Sequence, residues 1–119
     1  MSTPLVECVP NFSEGRRSEV TDAIASAATS VEGARLLHRT QDHDHNRSVL
    51  TLAGSPDAIS EAAFRAIAAA AERIDLCQHS GQHPRLGATD VVPFVPIRNI
   101  TLADCAWLAH ALAERVGSE

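Results

Sequence analysis

The segment His79–Asp90, "HSGQHPRLGATD", holds two histidines, an arginine, two glycines and a proline, with no apolar periodicity. His83 stands directly before Pro84, which disfavours helical geometry at His83 and holds it extended. Gly81 and Gly87 permit close approach of backbone or ligand. A histidine on so stiffened a loop can be presented to a cleft in one orientation, and its side chain is suited to proton transfer near neutral pH. The competing reading is an exposed loop histidine with no role. The length of the structureless segment Leu76–Asp90 weighs against it, because such loops in small domains are usually functional or disordered.

A second group is "DHDH", Asp42, His43, Asp44 and His45. Carboxylates alternating with imidazoles are the donor types that hold divalent metals. Alternate residues on an extended segment point to opposite sides, so at most two would converge. A polar hairpin with Asx turns explains the same residues, and no metal is expected. Arg47 and Arg85 stand nearby in sequence and can hold carboxylates by bidentate pairing. For each, a solvated surface arginine is the alternative.

These residues must be positioned by the elements around them. "PLVECVP" is short, apolar and bounded by prolines, and reads as a strand. From Ser18, the residues Val20, Ile24, Ala27 and Val31 recur at helical spacing, and Gly33 can close that helix in a left-handed cap. "ARLLHRT" reads as a second strand, "QDHDHN" as a turn and "RSVLTLAG" as a third strand. Ser55-Pro56 is a helix start, with a cap before proline at the first helical position. Ile59, Ala63, Ile67, Ala70 and Ile74 mark its apolar face. "VVPFVPI" is a fourth strand. Thr101–Asp104 is a capping box with Asp in place of Glu, opening a last helix with Leu102, Cys105, Ala109, Leu112 and Val116 inward.

The order β-α-β-β-α-β plus a terminal helix predicts an α+β fold, a ferredoxin-like sandwich with an additional C-terminal helix, as one domain over residues 1–119. The crossover rule puts the first and third strands in the centre and the second and fourth at the edges. Pro93 and Pro96, both in the fourth strand, agree with an edge. Three polar loops then meet at one rim: "NFSEGRR" after strand one, "QDHDHN" after strand two and "HSGQHPRLGATD" before strand four. One sheet face, Val6, Cys8, Leu50, Leu52 and Phe94, suits packing against helices. The other carries Leu5, Val9, Leu36, Val49, Val91 and Val95 with Glu7 among them. That face is too apolar to stay wet and requires a cover: a second domain, a second copy or the terminal helix.

Bulk properties narrow the function. The chain has 119 residues, 45% hydrophobic and 21% charged, as expected of a globular domain. Aromatics are 3% and the net charge is −5, which argues against nucleic-acid and anionic-membrane partners. All 10 basic residues are Arg, so no Lys-dependent chemistry is available within the chain. The 3 cysteines, Cys8, Cys77 and Cys105, form no CxxC pair and read as reduced small hydrophobes of a cytoplasmic protein. No signal peptide and no membrane span is expected.

"LVECVPNFSEGR", "DHDHNRSVLTLAG" and "HPRLGATDVVPFVPI", in that order, resemble the N-terminal half of glutamate formiminotransferase over nearly the whole chain. The resemblance implies transfer of a formimino group from N-formimino-L-glutamate to tetrahydrofolate, a co-substrate, in histidine breakdown. It implies two ferredoxin-like halves with facing sheets and substrates in the cleft between them. It assigns the acid/base role to His83, with Arg85 and Arg47 holding carboxylates, Asn11 lining the rim, and Asp42, Asp44 and His45 completing the substrate-binding set. The C-terminal half that supplies much of the family's folate site is absent here. Some members carry an acid at the position aligned with Thr40. A cover over the open sheet face, from the C-terminal subdomain or from a second copy in a homodimer, follows from the same reading. The alternative is a stand-alone ferredoxin-like module that binds a ligand or regulates, dimerising through its sheet without catalysis.

Overall fold

The computed structural model describes residues 4–14, 18–44, 46–73 and 89–118. Its elements, in chain order, are β1 (Leu5–Cys8), β2 (Asn11–Phe12), α1 (Ser18–Thr29), β3 (Arg35–Asp42), β4 (Arg47–Gly54), α2 (Pro56–Arg73), β5 (Thr89–Val91), β6 (Phe94–Arg98) and α3 (Leu102–Ser118). The expected first and fourth strands each appear in two pieces, interrupted at Val9-Pro10 and Val92-Pro93. Proline has no N–H to give a ladder. Its carbonyl still accepts: Val9 N–H donates to Pro93 O at 3.1 Å, and Leu50 N–H donates to Pro10 O at 3.1 Å. The sheet therefore continues past both breaks.

β4 pairs antiparallel with β1, β2 and β3, while β1 pairs with β6 and β2 with β5. Reading β1–β2 and β5–β6 as bent single strands, the first and third strands are central and the second and fourth are edges. This is the ferredoxin-like α+β arrangement expected from the element order.

Alternation sorts the two faces. Val6, Cys8, Phe12, Leu50, Leu52 and Phe94 are buried beneath the helices with Val20, Ile24 and Ala28 of α1 and Ile59, Ala62, Ala63, Ala66 and Ala70 of α2. The alanines let α2 approach the sheet closely. Glu7 lies on the opposite face, between Ala53 and Val95 in register. Val49 sits further along that face, opposite Asn11.

The helix boundaries follow their local chemistry. Ser55 Oγ accepts the Ala58 N–H at 3.3 Å. Thr101 and Asp104 form the reciprocal box, with the Asp104 N–H to Thr101 Oγ1 at 3.0 Å and the Thr101 N–H to Asp104 Oδ2 at 3.2 Å. Gly33 has φ 94°, the left-handed geometry that suits glycine after α1.

Two expectations are corrected. Leu36 does not share the open face with Val49. It pairs with Leu52 on the helix side, and a register shift between Leu36 and His38 returns His38 and Thr40 to the open side. A bulge inserts one residue and reverses the facing of what precedes it. The inward stripe of α3 is Cys105, Leu108 and Leu112 rather than one starting at Leu102, which is 73% exposed. Val116 is also exposed, at the far end of the helix.

α3 packs against β6 and α2, so it lies beside α2 and is not the cover of the open face. Arg115 fastens it there: Nη1 donates to Glu61 Oε1 at 2.7 Å, and the guanidinium sits 3.6 Å from the centroid of the Phe64 ring. Among the described residues no helix is long and apolar enough to cross a membrane. Ile74, expected on the α2 face, lies outside the described residues.

Candidate functional site

The polar rim is built by the ends of four strands. Asn11 pairs with Val49 on one side and Val91 on the other. Thr40 also pairs with Val49, and the next step outward pairs Asp42 with Arg47. By alternation Asn11, Thr40, Asp42, Arg47 and Val49 share the open face of the sheet. Phe12 and Ser48, one residue away, turn inward and are buried. The Asn11 side-chain amide donates to Val9 O at 3.0 Å, which fixes its orientation at the rim.

Asp42, His43, Asp44 and Asn46 lie in a turn between β3 and β4. The Asp44 N–H donates to Asp42 Oδ1 at 3.1 Å, an Asx turn, and the Asn46 N–H donates to His43 O at 3.3 Å. Asn46 takes φ 52°, a geometry asparagine tolerates. His43 and Asp44 project into solvent, with His43 Nδ1 3.9 Å from Asp44 Oδ1. Asp42 stands opposite Arg47 in the ladder, with its Oδ1 turned to the Asp44 N–H. Among the described residues no three His, Cys, Asp or Glu side chains converge as metal ligands would.

The structure thus brings Asn11, Asp42 and Arg47 to one rim, with Thr40 in the same row. His45, His83 and Arg85 lie outside the described residues, as do His79 and the two glycines of the "HPR" segment. That segment enters the sheet at Thr89, the partner of Phe12.

One acid at this rim has no counterpart among the expected site residues. Glu14, in the loop after β2, is 2% exposed. No periodic pattern marks a buried carboxylate in a loop, and its presence in "NFSEGR" was its only sign.

The two described thiols, Cys8 and Cys105, are buried. Burial pushes the Cys8 thiol up to about 12, only partly offset by a backbone hydrogen bond at Val9. Burial, and then the charge of Asp104, push the Cys105 thiol up as well. Both remain protonated at neutral pH and pack as small hydrophobes. Cys77 lies outside the described residues.

Comparison with known proteins gives a consistent result. Residues 5–119 match the family described as "Formiminotransferase domain, N-terminal subdomain". The chain is 49% identical over 115 residues to a glutamate formimidoyltransferase of Streptococcus pyogenes serotype M1, covering 97% of this chain and 38% of that protein. It is 48% identical to a glutamate formimidoyltransferase of Thermoplasma acidophilum, again over 97% of this chain and 38% of the relative. A formimidoyltransferase-cyclodeaminase of Sus scrofa is 45% identical over the same share of this chain, which is 21% of its own length. The chain therefore spans between about a fifth and two-fifths of these curated relatives. With the ferredoxin-like sheet and the rim motifs in place, the chain belongs to the formiminotransferase-domain N-terminal subdomain family.

Proposed function

We propose that this chain forms one half of a transferase that moves a formimino group from N-formimino-L-glutamate to tetrahydrofolate. The observation that carries the reading is the family match across 97% of the chain to relatives named for this transfer. The rim supports it, because Asn11, Asp42 and Arg47 share the open face. His83 is six residues before Thr89, a chain span of at most about 20 Å.

The chemistry asks little of the protein beyond placement and proton transfer. The folate amine attacks the amidine carbon of the donor and forms a new C–N bond. His83 accepts the amine proton. It then returns that proton to the glutamate nitrogen as the original C–N bond breaks. Donor and acceptor exchange one formimino group, with no change of oxidation state. Arg47 and Arg85 hold carboxylates, and Asn11, Asp42, Asp44 and His45 complete the substrate-binding rim. Positioning two substrates supplies much of the acceleration of such a reaction, so the other wall of the cleft is required. A C-terminal subdomain, or a second copy in a homodimer, would provide it over the open face.

The test is His83→Ala in a protein carrying both halves of the cleft. Turnover of formiminoglutamate with tetrahydrofolate should fall about 10²–10⁴-fold while the unfolding midpoint stays put. Near wild-type turnover would refute the acid/base role. Formylglutamate, run as a parallel donor, separates the two donor chemistries.

The half-exposed Val95 and Ile97 favour a second reading of the same face, self-association of this chain alone. Light scattering of the chain and of Val49→Asp separates the two. Dissociation of a wild-type dimer by the variant supports a second copy as the cover, and a monodisperse wild-type monomer leaves the C-terminal subdomain in that place.

A further inference from the structure

β3 departs from the rule that helix-facing positions are apolar. Arg39 pairs with Leu50 and Gln41 with Ser48, so both face the helices. Arg39 Nη2 lies 2.7 Å from Thr21 Oγ1, 3.1 Å from Gln41 Oε1 and 2.5 Å from Asp22 Oδ1. The Thr21 hydroxyl, 1% exposed, is in turn 2.9 Å from Gln41 Oε1 and 3.1 Å from Ser18 O. The first turn of α1 is thereby tied to the last residues of β3. Those two points are the roots of two rim loops. The loop after β2 enters α1 at Ser18, and β3 runs through Gln41 and Asp42 into the hairpin that returns at Arg47.

From this geometry we propose that Arg39 is a positioning residue, which holds the end of β3 and the start of β4, and with them Asp42 and Arg47, at a set distance from the first turn of α1. The tie is stronger than a surface ion pair. One guanidinium nitrogen, Nη2, stands within hydrogen-bond reach of three acceptors on two elements, and one of those acceptors is buried. An apolar residue at position 39 would fill the same space without fixing the strand end along the helix axis. The mechanical part stands on the structure alone. Its consequence for catalysis rests on the transferase reading, since Arg39 itself faces away from the open side.

The test has two arms. In the 119-residue chain, hydrogen exchange is compared for wild type, Arg39→Met, Arg39→Lys and Thr21→Val. Arg39→Met keeps the aliphatic stem and removes the donors. It should speed exchange of the Asp44 and Asn46 amides about ten-fold while amides inside α2 keep their rates. Thr21→Val should do the same to a smaller extent. Arg39→Lys, with one donor group, should recover part of the protection. Unchanged hairpin exchange overturns the proposal, and so does an acceleration spread evenly over the chain, which would mean general loss of stability. In the protein carrying both halves, Arg39→Met should raise KM for formiminoglutamate several-fold with kcat within about two-fold, and Arg39→Lys should restore most of it. A loosened hairpin with unchanged KM overturns the role in substrate positioning and leaves the transferase reading intact. If the wild-type protein does not turn over at all, the transferase reading fails, and the exchange arm still decides whether Arg39 ties the loops.

Discussion

The two faces of the sheet are drawn from the same strands and differ in almost every physical respect. Under the helices, Val6, Cys8, Phe12 and Leu52 are fully buried, and Thr21, Arg39 and Gln41 are bonded to one another at the end of β3. On the bare side, residues of the same strands are half-buried at most: Glu7 beside Ala53 and Val95, Asn11 beside Val49, and Ile97 half exposed. The bare face is also graded. It is apolar toward β6 and turns polar at the rim, where Thr40, Asp42, Asn11 and Arg47 gather. A face that is finished on one side and graded on the other divides the labour. Burial on the covered side stabilises the domain, and the uncovered side keeps its chemistry available to a ligand or a second wall.

Substitutions of similar size on the two faces give the sharpest break. Leu52→Ala should cost about 3 kcal/mol, because the lost transfer energy and the cavity add. Val95→Ala, on the bare side at 39% exposure, should cost less than about 1 kcal/mol. Urea unfolding of the two variants checks this, and equal losses would mean that the bare face is as much a part of the core as the covered one. The second effect is smaller and concerns the tightness of the covered side. A Cβ at Gly54 would sit 2.2 Å from Gly33 O and 3.3 Å from Ile59 Cδ1. Backbone cannot yield there as a side chain would, and Gly33 is itself held at positive φ. Gly54→Ala should therefore lower stability by about 2 kcal/mol, read from the thermal midpoint. A neutral result would show that the contact between Gly54 and Gly33 has slack.

The smallest effect is electrostatic and tests how α3 is held on the covered side. The Arg115 hydrogen bond, then that of Arg65, hold the Glu61 carboxyl below its ordinary value of 4.5. A carboxylate with a lowered folded value binds fewer protons folded than unfolded. Its contribution is present above pH about 4.5 and is lost as pH falls through the lowered value. Glu61 is a third exposed, so the contribution is at most about 1 kcal/mol. Glu61→Gln should flatten the stability profile across that acid range and leave it unchanged in slope above pH 6. Unfolding midpoints measured from pH 7 down to pH 3 for both proteins decide it.

Local chemistry accounts for much of the fold. The caps at Ser55 and Thr101, the Asx turn after Asp42, the burial of Val6 and Cys8 against the exposure of Glu7, and the order of the strands across the sheet all follow from residue type and spacing. Each depends on neighbours within a few residues or on a rule of chain handedness. The candidate rim was legible for the same reason: once three strand directions are known, three polar loops must meet. The "HPR" segment was equally visible in sequence, and the family match covers it, while its geometry lies outside the described residues.

Residue types and their spacing specify the set of elements, their hydrophobic alternation and the family. The tertiary structure alone decided the facing of Leu36, the helix-side placement of Arg39 and Gln41, the seat of α3 and the burial of Glu14. Leu36 turns inward because β3 must match the ladder of β4 over seven paired positions, and a bulge absorbs the mismatch. α3 lies beside α2 because Cys105, Leu108 and Leu112 find a core already lined by Phe94, and Arg115 finds Glu61 and Phe64. Such choices are competitions between distant surfaces for the same apolar stripe. Residue order sets which surfaces exist, and only their assembly in three dimensions selects the pair that buries the most while leaving the fewest polar groups unmet.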